Sequence, residues 1–308
     1  MRALGTSGLA TPKLVLGDNV FGWNLTGEEA FRVLDRFAEA GGTMIDTADV
    51  YSAWVPGHEG GESERLLGEW LKRRGGKSGL LIATKVGYSD GLAPATIAAA
   101  CNASLARLGI ETIDLYYAHK DDAGTPLEAT LAAFDALVKA GKVRAIGASN
   151  YSAARLGEAL DISARAGLAA YSVLQPEYNL MTRGSYEGAL QDLCVARKIG
   201  VLPYFGLASG FLTGKYRSEA DFGKSVRGGR MAAYLDERGK RVLAALDEIA
   251  AETKATQAQV ALAWLAAQPG VTAPIASATG AAQLEELLGV MTLELSAEQV
   301  ARLSAASA

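Results

Sequence analysis

The segment M-I-D-T-A-D-V-Y, residues 44–51, sets the architecture predicted for the whole chain. Its apolar run ends in Asp46, and Tyr51 follows five residues later in a predicted loop. Two further apolar runs end in the same way, L-L-I-A-T at Lys85 and I-D-L-Y-Y-A at His119. If these runs are neighbouring parallel strands, their carboxyl ends share one edge, and the four polar side chains meet there.

Composition and charge restrict the class of protein. The 308 residues are 49% hydrophobic, which suffices for one large core. A net charge of −4, with 30 basic and 34 acidic residues intermixed, argues against nucleic-acid and membrane-surface partners. The N-terminus lacks the apolar region of a signal peptide, and no apolar run is long enough to span a bilayer. We expect a cytoplasmic protein in which Cys101 and Cys194 are reduced thiols.

Apolar runs alternate with helical patterns along the chain. Residues 2–12 predict a small β-hairpin, and eight runs predict strands at 14–16, 43–46, 80–84, 113–118, 143–148, 170–174, 200–203 and 271–275. Helical patterns follow each run, with extra helices at the C-terminus. Eight βα units close a (β/α)8 TIM barrel, so residues 1–308 are predicted to form a single barrel domain. An open doubly wound sheet would require a glycine-rich turn after an early strand, and the sequence lacks one.

The barrel accounts for where the polar residues fall, because its active site is built at the carboxyl ends of the strands. Each residue alone has a structural explanation, as a helix cap, a solvated lysine or a packing tyrosine. Together they occupy or follow the ends of six consecutive predicted strands, which predicts a site. These residues are Asp46, Lys85, His119, Ser149 with Asn150, Gln175, and Tyr204.

The predicted cluster suits proton donation to an oxygen atom. A tyrosine hydroxyl titrates near pH 10, and a nearby ammonium favours the phenolate and lowers that pKa. Lys85 supplies such an ammonium, Asp46 can hold it by an ion pair, and His119 can orient a carbonyl. None of these groups supplies electrons, so a hydride donor is implied.

These residues resemble the aldo-keto reductase family, whose members are (β/α)8 barrels with an Asp, Tyr, Lys and His tetrad. The resemblance covers nearly the whole chain and indicates a bacterial NAD(P)H-dependent oxidoreductase. The similar blocks are D-T-A-D-V-Y (46–51), G-E-S-E-R-L-L-G (61–68), I-A-T-K (82–85), G-K-V-R-A-I-G-A-S-N (141–150), A-S-G-F-L-T-G-K-Y (208–216) and T-A-P-I-A-S-A-T (272–279).

The resemblance implies reduction of an aldehyde or ketone, and the reverse oxidation, with a hydride from nicotinamide C4. Tyr51 would donate the proton, Lys85 and Asp46 would tune it, and His119 would position the carbonyl. The implied cofactor contacts are Ser149, Asn150 and Gln175 at the carboxamide, Tyr204 on the ring, Leu207, Ser209, Gly210, Leu212, Gly214 and Lys215 at the pyrophosphate, and Ser277, Thr279 and Gln283 at the adenosine.

The adenosine segment departs from the family pattern. Many members carry Gly at the position of Ser277, Arg at that of Thr279 and Asn at that of Leu287. Loss of the Arg removes a bidentate phosphate partner and leaves the choice between NADP and NAD open. We favour NADP(H), with NAD(H) as the alternative, because other cations are available nearby: Lys215, Arg217, Arg227 and Arg230.

The predicted substrate mouth consists of Val20, Phe21 and Trp23 after the first strand and of Trp54 and His58 in the loop 52–60. These residues favour a modest apolar or aromatic carbonyl compound. The alternative is that the two tryptophans only pack the loops together. No metal is expected, because the glycines after His58 and Glu59 preclude the helix that a zinc motif needs.

Two alternative functions stay open from the sequence. One is a barrel aldolase in which Lys85 forms a Schiff base, although an Asp46 ion pair opposes the deprotonated lysine that this requires. The other is a non-catalytic nicotinamide-binding subunit, because some relatives in this family associate with channels. A monomer or a small homo-oligomer is expected.

Overall fold

A short hairpin covers the amino-terminal end of the sheet. The computed structural model describes residues 1–224 and 228–308, so Arg227 lies outside the described residues. Strands β1 (Arg2–Ala3) and β2 (Ala10–Thr11) pair antiparallel. Between them, Gly5 has φ +56° and approaches the backbone of Ser172 and Gly200 so closely that a Cβ would clash. The predicted hairpin is therefore confirmed, and it packs against the backbone at the amino-terminal ends of two later strands.

The main sheet contains eight parallel strands in the order β10-β3-β4-β5-β6-β7-β8-β9. Their bounds are β3 (Val15–Gly17), β4 (Met44–Asp46), β5 (Leu81–Val86), β6 (Ile113–Ala118), β7 (Val143–Ser149), β8 (Tyr171–Gln175), β9 (Gly200–Val201) and β10 (Ile275–Ala276). A parallel bridge joins Val201 to Val271, and the Ile275 N–H donates to the Pro203 carbonyl at 2.9 Å. These contacts join the two ends of the sheet and confirm the (β/α)8 fold.

Helices separate the strands, as the alternating pattern predicts. They are α1 (Gly27–Glu39), α2 (Glu62–Arg73), α3 (Pro94–Leu108), α4 (Leu127–Lys139), α5 (Ala153–Ala166), α6 (Ala189–Ala196), α7 (Glu237–Thr253), α8 (Gln257–Ala266), α9 (Ala281–Leu288) and α10 (Ala297–Ala306). Capping boxes built on Thr256 and Ser296 start α8 and α10. The polar segment between β9 and α7 forms short 3₁₀ turns, including Ala208–Thr213.

Strand alternation determines which side chains enter the barrel, because every second residue of a strand faces the same side. The barrel interior is a compact apolar cluster: Leu4, Leu9, Val15, Met44, Ala83, Leu115, Tyr117, Ala145, Val173, Leu202, Ala273 and Ile275. Asp46 lies two residues beyond Met44, Lys85 two beyond Ala83, and Gln175 two beyond Val173. The alternation that fills the core therefore points these polar side chains inward above it.

Cys101 and Cys194 are free, buried thiols. Within residues 1–224 and 228–308, every helix is too short or too polar to cross a bilayer.

Candidate active site

Lys85 is the centre of a buried hydrogen-bond network at the carboxyl end of the barrel. Its Nζ donates to Asp46 Oδ1 at 2.6 Å, to the Thr47 carbonyl at 2.7 Å and to Tyr51 Oη at 2.9 Å. An ammonium has three N–H donors, so these contacts use all of them. The Lys85 side chain is fully buried, and that of Asp46 nearly so. The structure thus brings three of the four predicted catalytic residues into direct contact.

A tight turn after β4 brings Tyr51 back over this network. The Tyr51 N–H donates to the Ala48 carbonyl at 3.2 Å. The next residue, Ser52, has φ +73°, and its hydroxyl donates to the Phe21 carbonyl at 2.9 Å. The Tyr51 ring centroid consequently lies 4.6 Å from Lys85 Nζ. The turn after β4 therefore produces the contact between Tyr51 and Lys85, which the sequence spacing only suggests.

The protonation states follow from burial and from the two charges. Burial acts to lower the pKa of Lys85, but Asp46 and Tyr51 outweigh it and hold that pKa above its usual value. Burial raises the pKa of Tyr51 to about 12, and the opposing effect of Lys85 is smaller. The predicted effect of Lys85 has the correct sign, but burial outweighs it, so the expectation of a lowered Tyr51 pKa is wrong. Tyr51 is a neutral phenol that retains a proton to donate.

His119 lies beside the tyrosine in its neutral form. Burial, followed by the charges of Lys85 and Lys120, lowers the pKa of His119 to about 2. The imidazole centroid lies 6.1 Å from that of Tyr51 and 4.9 Å from that of Tyr88. Its Nδ1 is buried and has no hydrogen-bond partner among the described residues. A neutral imidazole carries one N–H donor, which suits orientation of a carbonyl oxygen.

The residues predicted to hold the nicotinamide end form a second network next to the first. Tyr204 Oη donates to Asn150 Oδ1 at 2.8 Å, and Asn150 Nδ2 donates to the His119 carbonyl at 2.9 Å. Ser149 Oγ donates to the Gln175 carbonyl at 2.8 Å. Gln175 Nε2 donates to Asp46 Oδ2 at 2.8 Å, so this amide also holds the Asp46 carboxylate in place. The sequence did not reveal that cross-barrel contact.

Asp46, Tyr51 and His119, together with the second network, line a cavity of about 300 Å³ at the barrel mouth. Its remaining walls come from Gly17, Asn19, Val50, Trp54, Tyr88, Phe205, Ile275 and Ser277. Gly17 is required here, because a Cβ would lie 2.8 Å from Ser277 Oγ. A groove of about 320 Å³ continues from it and shares Asn19, Phe205, Ile275 and Ser277. Together they form one continuous site, and Tyr51 lines the part of it at the barrel mouth.

The groove brings together most of the predicted pyrophosphate and adenosine residues: Leu207, Ser209, Gly210, Lys215, Ser277, Thr279 and Gln283. Two predicted members do not line it. Leu212 is fully buried in the core, and Gly214 packs against the Gln257 side chain. Ser209 and Gly210 both have positive φ, so their backbone turns sharply at the edge of the groove.

Charge in the groove is sparse. Among residues 1–224 and 228–308, Lys215 is the one cation that lines the groove, and Glu286 also lines it. Thr279 donates from both its N–H and its hydroxyl to Gln283 Oε1, at 2.9 and 3.0 Å. Arg217 forms a bidentate ion pair with Asp247 at 2.8 and 2.9 Å, and Arg230 does not line the groove. Of the cations named from the sequence that the structure describes, Lys215 alone lines the groove, and Arg227 lies outside the described residues.

The structure separates the predicted substrate residues. Trp54 lines the cavity and is 48% exposed, and Trp23 packs edge-on against it at 5.8 Å. Val20 lines the groove instead, Phe21 is fully buried in the core, and His58 lines neither the cavity nor the groove.

Sequence reasoning missed Val50, Tyr88 and Phe205 as cavity residues. Tyr88 follows β5 by two residues, and Phe205 follows Tyr204. Position just beyond a barrel strand was therefore a usable signal for both. In the part of the chain that the structure describes, no group of three or more His, Cys, Asp or Glu side chains could hold a metal ion.

The chain is similar to known proteins over most of its length. The model of the Aldo/keto reductase family matches residues 13–308. "Aldo-keto reductase str7" of Strobilurus tenacellus is 35% identical over 89% of this chain and 80% of its own length. "Aldo-keto reductase yakc [NADP(+)]" of Schizosaccharomyces pombe is 32% identical over 88% and 80%. A "Probable voltage-gated potassium channel subunit beta" of Arabidopsis thaliana is 33% identical over 92% and 88%.

Proposed function

This chain belongs to the aldo/keto reductase family and is an NAD(P)H-dependent oxidoreductase, and we propose that it reduces an aldehyde or ketone with Tyr51 as proton donor. One observation carries the proposal. The Lys85 ammonium donates to Asp46 and to Tyr51 at once, and both of these residues line a cavity that can admit a small carbonyl compound. The same residues would support the reverse oxidation of the alcohol.

The residues of this chain hold the proton and donate it to the substrate oxygen. Tyr51 holds a proton in the resting site, and Lys85 stabilises the phenolate that remains after the proton leaves. Asp46 keeps Lys85 charged and aimed, and Gln175 keeps Asp46 in place. His119 would orient the carbonyl oxygen by its neutral N–H. The bound nicotinamide would supply the hydride from C4.

The residues present fit a nicotinamide dinucleotide. Ser149, Asn150 and Gln175 would hold the carboxamide, and Tyr204 would face the ring. The Ser209–Gly210 turn presents backbone to the groove, where pyrophosphate would lie. Ser277, Thr279 and Gln283 would face the adenosine.

We propose NADPH as the preferred donor, with NADH as the alternative. Lys215 lines the groove, where an additional phosphate would interact with its charge. A relative whose printed name includes NADP(+) is 32% identical to this chain. Thr279 occupies the position where many relatives carry Arg, so the preference should be smaller than a bidentate contact would produce.

The test is oxidation of NADPH with a panel of aliphatic and aromatic aldehydes. Tyr51→Phe should reduce kcat/KM by about 10²–10⁴-fold, because the proton donor is removed. Tyr151→Phe is the matched control, since its hydroxyl contacts Tyr171 and lies outside the cavity. An inert wild type with both cofactors, or full activity in Tyr51→Phe, would contradict the proposal.

A second candidate is a nicotinamide-binding subunit that associates with another protein. The 33% identity to a protein named as a potassium channel β-subunit favours keeping it. Tight NADPH binding without turnover of any aldehyde would support this candidate. The aldolase alternative is disfavoured, because all three Lys85 donors are engaged and its pKa is raised. Cytoplasmic location and a monomer or small homo-oligomer stay predictions.

A further inference from the structure

Asp18 is a buried carboxyl group that the proposed chemistry does not use. It follows Gly17 at the end of β3, and its side chain is completely buried. Neither carboxyl oxygen has a hydrogen-bond partner among the described residues. A buried carboxylate without a donor is strongly disfavoured, so this position needs an explanation.

The backbone holds Asp18 against the catalytic strand. Its N–H donates to the Asp46 carbonyl at 3.0 Å, and its carbonyl accepts from Ser63 Oγ at 3.0 Å and from the Phe21 N–H at 2.8 Å. These three bonds join β3 to the end of β4, to the start of α2 and to the following turn. These bonds hold Asp18 next to Asp46, below the mouth of the barrel.

Among the described residues whose charges act on Asp18, Lys85 is the one cation, and it faces two carboxyl groups, those of Asp18 and Asp46. The nearby hydroxyls donate elsewhere, Ser63 Oγ to the Asp18 backbone carbonyl at 3.0 Å and Thr47 Oγ1 to Ser63 Oγ at 3.4 Å. The charges that act on the Asp18 carboxyl group are those of Asp46 and Lys85. Every N–H of Lys85 is already donated, to Asp46, to the Thr47 carbonyl and to Tyr51. Lys85 therefore has no donor left for Asp18, and Asp46 already supplies its counter-charge. A neutral acid is the form of Asp18 that this arrangement accommodates.

We propose that Asp18 is a positioning residue that must be protonated for efficient carbonyl reduction, because its ionised form opposes proton donation by Tyr51. This inference rests on the proposed role of Tyr51. A negative Asp18 adds to the charge of Asp46 and makes the Tyr51 phenolate less stable. Proton transfer to the substrate oxygen then becomes harder, although the catalytic groups keep their places.

The electrostatics place the pKa of Asp18 in the pH range over which carbonyl reduction can be assayed. Burial raises the pKa of Asp18 to about 8, Asp46 adds to the rise, and Ser63, Thr47 and Lys85 oppose it. Reduction should therefore be fastest below this pH and should decline above it. The expected decline in kcat/KM is on the order of threefold, because a modest rise in the pKa of an acid catalyst is only partly expressed in its rate.

The test compares Asp18→Asn with wild type across pH 6 to 10. Asn has the same shape and cannot ionise, so this variant should keep its activity at pH 6 and lack the decline near pH 8. Asp49→Asn is the matched control. Asp49 is half-buried and burial raises its pKa to about 7, but its strongest charged neighbours are Glu64 and Arg107. The control should keep the wild-type decline near pH 8.

Infrared spectroscopy tests the protonation without turnover. The difference spectrum of wild type minus Asp18→Asn should contain the carbonyl band of a protonated carboxylic acid at pH 6, and this band should vanish by pH 10. Asp18→Ser provides a second neutral variant if Asp18→Asn does not fold. Absence of the band at pH 6, or an unchanged pH profile in the neutral variant, would overturn the inference. An unchanged profile together with an inactive Tyr51→Phe would leave the proposed function intact.

Discussion

Replacing Lys85 by Met should separate the stability of the buried network from its chemistry. The substitution removes three hydrogen bonds and the positive charge, and it leaves Asp46 buried beside Tyr51 with Gln175 as its remaining side-chain donor. Removal of one partner from a buried ion pair costs about 3–5 kcal/mol, because the other charge stays buried and uncompensated. The free energy of unfolding should fall by about that amount at pH 7.

The double variant Lys85→Met with Asp46→Asn is the informative comparison. It removes the uncompensated charge as well, so more than half of the lost stability should return. Activity should not return, because Tyr51 still lacks the cation that stabilises its phenolate. Carbonyl reduction should therefore be lower by about 10²–10⁴-fold in both variants.

Urea unfolding followed by fluorescence, together with NADPH oxidation, provides both readouts. Lys240→Met is the control, because the Lys240–Glu237 pair is exposed to solvent and should contribute little to stability. Equal destabilisation of the single and double Lys85 variants would refute this description of the pair. So would a Lys85→Met loss no larger than that of Lys240→Met.

Three further predictions concern pH, cofactor and substrate. The folded pKa of His119 is lowered to about 2, so the unfolded chain alone takes up this proton below pH 6.5. The free energy of unfolding of the wild type should therefore fall by about 2 kcal/mol from pH 6.5 to pH 5, and that of His119→Gln should not show this fall, as measured by denaturant unfolding at each pH. Lys215→Met should raise the NADPH dissociation constant on the order of tenfold and that of NADH by less, measured by fluorescence quenching, because both cofactors have the pyrophosphate and NADPH alone has the additional phosphate; equal effects on both would contradict the assignment. Trp54→Ala should raise KM more for aromatic than for short aliphatic aldehydes, and a uniform change would remove Trp54 from the substrate site.

Much of the fold was predictable because its signals are local. The eight apolar runs correspond to strands or bridges in the structure, and the strand around 271–275 shrinks to Ile275–Ala276 with a bridge at Val271. The polar segment after β9 was not resolved into 3₁₀ turns from the sequence, because such turns lack a strong hydrophobic period. Among the substrate residues, Phe21 was misjudged because an aromatic residue next to a site and one in the core look alike in sequence.

The sequence by itself determined the barrel and the inward direction of Asp46 and Lys85, because strand alternation is a property of neighbouring residues. Tertiary structure alone decided that Gln175, 129 positions away, fixes Asp46, and that Lys85 has no donor left for Asp18. It also decided that burial outweighs Lys85 in setting the pKa of Tyr51. The physical reason is that solvent exclusion and contacts between distant strands arise only when the barrel closes and brings those strands together.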